Sequence, residues 1–381
     1  MHPAQEGIFK RCRGLAALLL ALCGTFVAAS RHGGAAPDAA VSSTGTIGRF
    51  DNLQDLVERA RVDARSERVL NHENADAAIA DDILIEAFDV GKNADALFLP
   101  VMIDGQEWWF LVDTGCGETI VDLEVAIHLG LIDRSELKLH KRWHAARRPL
   151  DANIGKSRIP VACQAVCFDL SELRGCRYAF PLCGILGMDF LRKHVIGIDL
   201  DAGKLSFFKS APECSGSQFK LSRDTDDRPI LSVEIAKGRE IWFVVDTGCS
   251  GPFAGTIEKR LFTDLVEHKH LTAVQGRIPT MKLSGPRLCD RARLDVFQFG
   301  GFAHSGLEFH DDNANNFLGL CYLSRYVVTL DFPNDCLYLK EGKRFAEAAR
   351  PSSVHANATS SARIARPAIQ QFPWQDAPGV H

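Results

Sequence analysis

The segment Trp109-Phe110-Leu111-Val112-Asp113-Thr114-Gly115-Cys116 returns as Trp242-Phe243-Val244-Val245-Asp246-Thr247-Gly248-Cys249, 133 positions later. In each copy an apolar run ends on a carboxylate, followed by a hydroxyl residue and a glycine. Two such carboxylates brought face to face share one proton, because both cannot ionise at close range. The ionised member can then take a proton from a water while the protonated member gives one to a carbonyl oxygen or a leaving nitrogen. Asp113 and Asp246 are therefore the candidate catalytic pair, one from each copy. Gly115 and Gly248 let the chain turn tightly beside the carboxylate. Thr114 and Thr247 are placed to hydrogen-bond across to the partner loop and brace the pair.

The elements that must position this pair also come twice. Ile185-Leu186-Gly187 is echoed by Phe317-Leu318-Gly319 at an offset of 132. Each unit then ends in a hairpin: Val195 to Leu200 with Lys204 to Phe208, and Tyr326 to Phe332 with Cys336 to Lys340. Upstream, Leu97 to Ile103 and Trp108 to Val112 flank Asp104-Gly105, a hairpin turn signal. Ile230 to Ala236 and Glu240 to Val245 flank Lys237-Gly238 in the same way. The repeat therefore predicts a mostly β unit of about 110 residues, present twice. Residues 96–209 form the first lobe, 210–217 a polar linker and 218–341 the second lobe. Ile83 to Val90 reads as an extra strand. Within 31–95, Leu53, Leu56, Val57, Ala60 and Ala64 fall at helical spacing behind Asp51 or Asn52, predicting an accessory surface helix in preference to an inhibitory propeptide.

The chain has 381 residues, 44 Lys and Arg against 48 Asp and Glu, a net charge of −4 and 46% apolar content. That balance argues against a nucleic-acid partner, and the apolar share against a disordered chain. Residues 1–30 carry Lys10, Arg11 and Arg13, an apolar run from Leu15 to Leu22 and the small residues Val27-Ala28-Ala29. This pattern predicts a cleaved export signal and a secreted or periplasmic location. An uncleaved membrane anchor is the alternative, for which Leu15 to Ala29 falls short of a spanning helix; no later segment predicts a membrane span. Residues 342–381, rich in Ala, Arg, Pro and Ser, predict a flexible tail. Of twelve Cys, ten follow the signal, so an oxidising compartment would favour some disulfides. Neither Cys163, Cys167, Cys176 and Cys183 nor His268, His270, His310, Asp311 and Asp312 show metal-site spacing, and no metal is expected. A Gly-rich phosphate loop, a Gly-x-Ser-x-Gly elbow and a His-Glu-x-x-His motif are all missing from the sequence.

The doubled apolar-apolar-Asp-Thr-Gly, each copy followed by an apolar-apolar-Gly some seventy residues on, resembles the retropepsin-like and pepsin-like aspartic proteases. The resemblance runs from Leu97 to Lys340. It implies an all-β, bilobed aspartic protease fold of two closed-barrel-like lobes with the active site between them. It also implies an aspartic endopeptidase acting on a peptide or protein substrate, with no cofactor beyond the water held by the dyad. Gly187 and Gly319 would be structural supports, in a segment packed beneath the catalytic loop in a ψ-shaped crossing. Because one chain supplies both aspartates, a monomer is expected. A non-catalytic peptide-binding protein on the same fold is the alternative.

Two departures stand out. Cys116 and Cys249 follow the Asp-Thr-Gly where Ser, Thr or Ala is usual in the resembled enzymes. A thiol donates weakly, so plain hydrogen bonding or packing is expected of both in preference to a redox gate. A hairpin covering the cleft is expected within His140 to Pro160 and Thr272 to Pro286, yet neither stretch contains Tyr. Trp143 is the candidate flap residue, with a core role equally open. Arg142, Arg147 and Arg148 beside it read either as a solvated charge run or as a preference for acidic substrate side chains.

Overall fold

Leu99, Val101 and Ile103 turn inward from the strand Phe98–Ile103 while Pro100 and Met102 are more open, the period-two pattern of a half-buried strand. Asp104 and Gly105, both at positive φ, close the tight turn into the strand Gln106–Val112. The structure, a computed structural model, describes residues 83–348 apart from 93–95, 140–145, 175–177, 179, 237–238, 284, 295 and 314. The export signal, the helix around Leu53, Arg142, Trp143 and the chain beyond 348 lie outside the described residues.

In the first lobe Phe98–Ile103, Gln106–Val112, Gly184–Leu186, Ile120–Asp122, Ile159–Phe168 and Ala146–Ile154 follow one another round a closed barrel. The barrel is sealed where Val101 pairs with Ile154, and Trp108, Phe110 and Val161 are buried in its core. The second lobe repeats the central strands in the same order: Pro229–Ala236, Arg239–Val245, Phe317–Leu318, Gly255–Glu258 and then Leu307–Asp312. It does not close, which corrects the expectation of two closed barrels. In the first lobe Ala146–Ile154 both pairs with Ile159–Phe168 and returns to the leading strand. In the second these two tasks are divided. Gly285–Leu294 pairs with Leu307–Asp312, whereas a short hairpin, Phe297–Phe299 and Phe302–His304, flanks Pro229–Ala236 through Glu234 and Gln298. The long hairpin of Leu271–Lys282 and Gly285–Leu294 is thereby left at the sheet's edge.

The two tail hairpins meet in one antiparallel sheet between the lobes. Its order is Leu84–Asp89, Lys204–Phe208, Val195–Asp199, Tyr326–Asp331, Cys336–Glu341 and Ser217–Lys220. The seam runs between Val195–Asp199 and Tyr326–Asp331, with Gly197 opposite Thr329. The extra strand expected at Ile83 to Val90 forms one edge. Ser217, given to the linker, begins the strand at the other. Lys343–Ala348, expected within the tail, is helical, and Phe345 packs against the second-lobe core. Among the described residues no disulfide joins any cysteines, and no helix is long and apolar enough to cross a membrane.

Behind the second lobe His304, 7% exposed, receives a hydrogen bond on Nδ1 from Arg325 Nη1 at 3.1 Å. Arginine can only donate, so Nδ1 accepts and the ring proton sits on Nε2, bonded to the Tyr326 hydroxyl. Burial, reinforced by the Arg325 charge, pulls the His304 pKa down to about 4. A depressed histidine leaves the folded state binding fewer protons than the unfolded chain between pH 6.5 and 4, so stability is lost as pH falls through that window. Discounted for solvent screening, the loss is roughly 2 kcal/mol. Thermal melts of wild type and His304→Gln at neutral and mildly acid pH check this: the variant is expected to show the shallower acid decline.

Candidate active site

Asp113 and Asp246 stand where the strands Gln106–Val112 and Arg239–Val245 end. In each lobe a second strand runs parallel alongside: Val112 pairs with Leu186, and Val245 with Leu318. Asp113 N donates to Leu186 O at 3.1 Å and Asp246 N to Leu318 O at 3.0 Å. The strand carrying Leu186 lies between Gln106–Val112 and Ile120–Asp122, and its counterpart lies likewise in the second lobe. Next to it the backbone of Gly187 passes beneath the loop, 2.9 Å from Cys116 O for any Cβ built there and closer to Glu118 O. Gly319 sits in the same way under Cys249 O. Side chains at either position would press on the two Asp-Thr-Gly loops.

Four hydrogen bonds lock the loops across the lobes. Thr114 N donates to Thr247 Oγ1 and Thr247 N to Thr114 Oγ1, both at 3.0 Å. The hydroxyls then donate onward, Thr114 to Val245 O at 2.6 Å and Thr247 to Val112 O at 2.8 Å. Each threonine is buried, so the grip operates where water cannot replace it.

This grip sets each carboxyl over the other lobe's glycine. A Cβ on Gly115 would lie 2.5 Å from Asp246 Cγ, and one on Gly248 would lie closer still to Asp113 Cγ. Gly248→Ala is accordingly expected to push Asp113 aside and to destabilise the fold by about 2 kcal/mol, read as a lower melting temperature.

The two carboxyls are hydrogen-bonded to each other. Burial, the Asp246 charge and that bond raise Asp113 well above the usual carboxylate range. Burial raises Asp246 too, but the bond from Asp113 and the amides of Cys249 and Gly248 favour its ionised form. Those amides reach Asp246 Oδ1 at 3.0 and 2.8 Å, whereas Asp113 Oδ1 has the Gly115 amide at 2.8 Å. One proton on the pair, resting with Asp113, follows from this imbalance.

The cysteines after the glycines differ from hydroxyls in use. Cys116 Sγ donates to Glu118 O at 3.1 Å and is buried among Phe98, Leu111 and Ile120. Burial and the charge of Asp246 push the Cys249 thiol far up, so it is a thiol and not a thiolate at neutral pH.

The expected flap regions part company. In the first lobe the turn between Ala146–Ile154 and Ile159–Phe168 is tied to the sheet between the lobes, where Lys156 N and Ser157 N each donate to the Glu86 carboxylate at 2.8 Å. That turn is therefore no cover for the cleft. In the second lobe the tip of the long hairpin carries Lys282, whose charge Cys249 senses. Leu283 packs on the first-lobe cluster around Cys116 and Leu173. The hairpin thus reaches across from the second lobe to the first, where both its strands meet the helix Ser171–Arg174. Asp311 and Asp312, each 1% exposed, anchor it through Arg287 at 2.5 Å and through Lys282.

Arg147 and Arg148 do not present free charges to a substrate, which corrects that option: they pair with Glu118 and with Glu136, the latter at 2.6 Å. The arginine beside the dyad is Arg228, in no motif and 3% exposed. Its local sequence carries no signal, and only the strand register relates it to Asp246.

No family model matches the chain, and no curated protein does. Solved structures do match. Among them is a retropepsin-like aspartic protease from Rickettsia conorii, 17% identical, covering 32% of this chain and 88% of its own, at a TM-score of 0.24.

Proposed function

We propose that the protein is an aspartic endopeptidase that hydrolyses peptide bonds with water activated between Asp113 and Asp246. The carrying observation is the pair of buried carboxyls, hydrogen-bonded to each other and raised unequally, at the ends of two equivalent strands. Asp246, the more readily ionised, takes a proton from the water as its oxygen attacks the peptide carbonyl carbon. Asp113 gives its proton to the carbonyl oxygen, leaving a neutral gem-diol. In the second step Asp246 passes its proton to the amide nitrogen, the C–N bond breaks, and Asp113 recovers a proton from a diol hydroxyl. The dyad ends as it began, with one proton.

The chain supplies both aspartates, so we take a single copy as the working unit and, on its N-terminal residues, an exported one. The test is cleavage of a peptide library across about pH 3 to 8, the span in which paired carboxylates titrate, followed by mass spectrometry. Cleavage by wild type and none by Asp113→Asn or Asp246→Asn is expected. Identical behaviour of wild type and variants would overturn the assignment and favour a peptide-binding role.

A further inference from the structure

The two catalytic loops are built alike, yet one lobe holds a charge that the other lacks. Leu231 pairs with Phe243 and Ile230 with Val244, so continuing the ladder by two residues sets Arg228 opposite Asp246. In the first lobe Phe98 pairs with Leu111, and the same extension sets Ala96 opposite Asp113. Residues facing each other across antiparallel strands have Cα atoms about 5 Å apart. An alanine thus stands at the register position facing Asp113 and an arginine at the one facing Asp246.

Arg228 is held firmly and from one side. Its Nε and Nη2 both lie 2.6 Å from Asp224 Oδ2, and Nη2 lies 3.7 Å from Asp226 Oδ2. The other Asp224 oxygen accepts the amides of Asp226 and Arg228, each at 2.9 Å, which closes residues 224–228 into a small loop. The remaining nitrogen, Nη1, is buried with no hydrogen-bond partner among the described residues. A buried, unpaired arginine nitrogen costs stability, and Asp224 alone would secure the loop. Something else rewards the cation at this place.

We propose that Arg228 is a positioning residue of the dyad, its buried guanidinium set opposite Asp246 by the strand register so as to hold the pair in its singly ionised form. The inference rests on the endopeptidase reading of Asp113 and Asp246. Burial and mutual repulsion both favour a neutral dyad, which has no base to activate water. Both aspartates feel the Arg228 charge, and it acts on each against that tendency. The other charged groups around the loop are largely matched. Arg192 of the first lobe pairs with Asp227, and Arg223 with Asp335 at 2.6 Å. Glu118, which senses Asp226, pairs with Arg147. Burial raises both Glu118 and Asp226, which tempers their negative charge near Arg228.

The test is the pH profile of kcat/KM for wild type, Arg228→Lys, Arg228→Met and Asp224→Asn. Loss of the cation in Arg228→Met is expected to move both limbs upward by about one pH unit, while Arg228→Lys stays near wild type. Asp224→Asn, which removes the counter-charge, is expected to move both limbs downward, and it decides the matter should Arg228→Met fail to fold. Limbs that stay in place in the Met and Asn variants, whatever the fall in kcat, would show a purely structural arginine and overturn the proposal. If wild type cleaves nothing, the endopeptidase reading fails separately. Carboxyl-carbon NMR titration of Asp113 and Asp246 in wild type and Arg228→Met then decides: an upward displacement in the variant supports the coupling, and superimposable curves refute it.

Discussion

Asparagine in place of Asp113 or Asp246 is expected to lower kcat by at least about a thousandfold, since each substitution removes either the base or the acid of the proposed hydrolysis, which needs both. The same variants are expected to be more stable than wild type at neutral pH. Both carboxyls have folded-state pKa values raised mainly by burial. A raised carboxylate leaves the folded state holding more protons than the unfolded one, so its contribution to stability is lost as pH rises through the folded value. An amide does not ionise and avoids that loss. Melting temperatures about 3 °C or more above wild type are expected at pH 7, with the gap closing in acid, where the wild-type dyad is protonated in both states. A variant that is inactive and also less stable at pH 7 would mean that Asp113 or Asp246 is structural.

The second large effect is expected from Thr247→Val. Valine keeps the shape of threonine but leaves Thr114 N and Val112 O without their partners in a site closed to water. Each orphaned backbone group costs about 1–3 kcal/mol, so destabilisation of roughly 3 kcal/mol is expected from denaturant unfolding. Activity should fall as well, by about a hundredfold, because misplacing a catalytic group by an ångström has that order of effect. Thr114→Val is the mirror experiment. The double variant should cost less than the sum of the two, since residues in one hydrogen-bond network are coupled, and the shortfall measures that coupling.

What could be read from residue order is what rests on neighbours in the chain. The Asp-Thr-Gly loops, the tail hairpins and the edge strand at Leu84–Asp89 each carry their signal within a few consecutive residues, and the repeat makes each copy a check on the other, whereas the supporting role of Gly187 and Gly319 comes from the family resemblance. What depends on distant pairing was not legible. Arg228 has an ordinary local sequence and acquires its place through the register across Pro229–Ala236 and Arg239–Val245. The open second lobe follows from the short hairpin at Phe297–Phe299 and Phe302–His304, whose Gly300-Gly301 turn looks like any surface loop. The destination of the first-lobe hairpin turn was hidden for the same reason: Glu86, its partner, lies 70 residues away.

The seam at Gly197 and Thr329 has a further consequence. Val195–Asp199 and Tyr326–Asp331 are equivalent strands of the repeat, joined antiparallel, so without its sister half Val195–Asp199 would be an unpaired edge. Severed at residues 210–216, the first half is expected to leave Val195–Asp199 open to pairing with a second copy, an assembly that would carry Asp113 twice and no Arg228. The short tether favours the sister edge by keeping it at a local concentration on the order of millimolar. It thereby does more than hold two halves together: it keeps the assembly lopsided, with a single cation on one side of an otherwise mirrored centre.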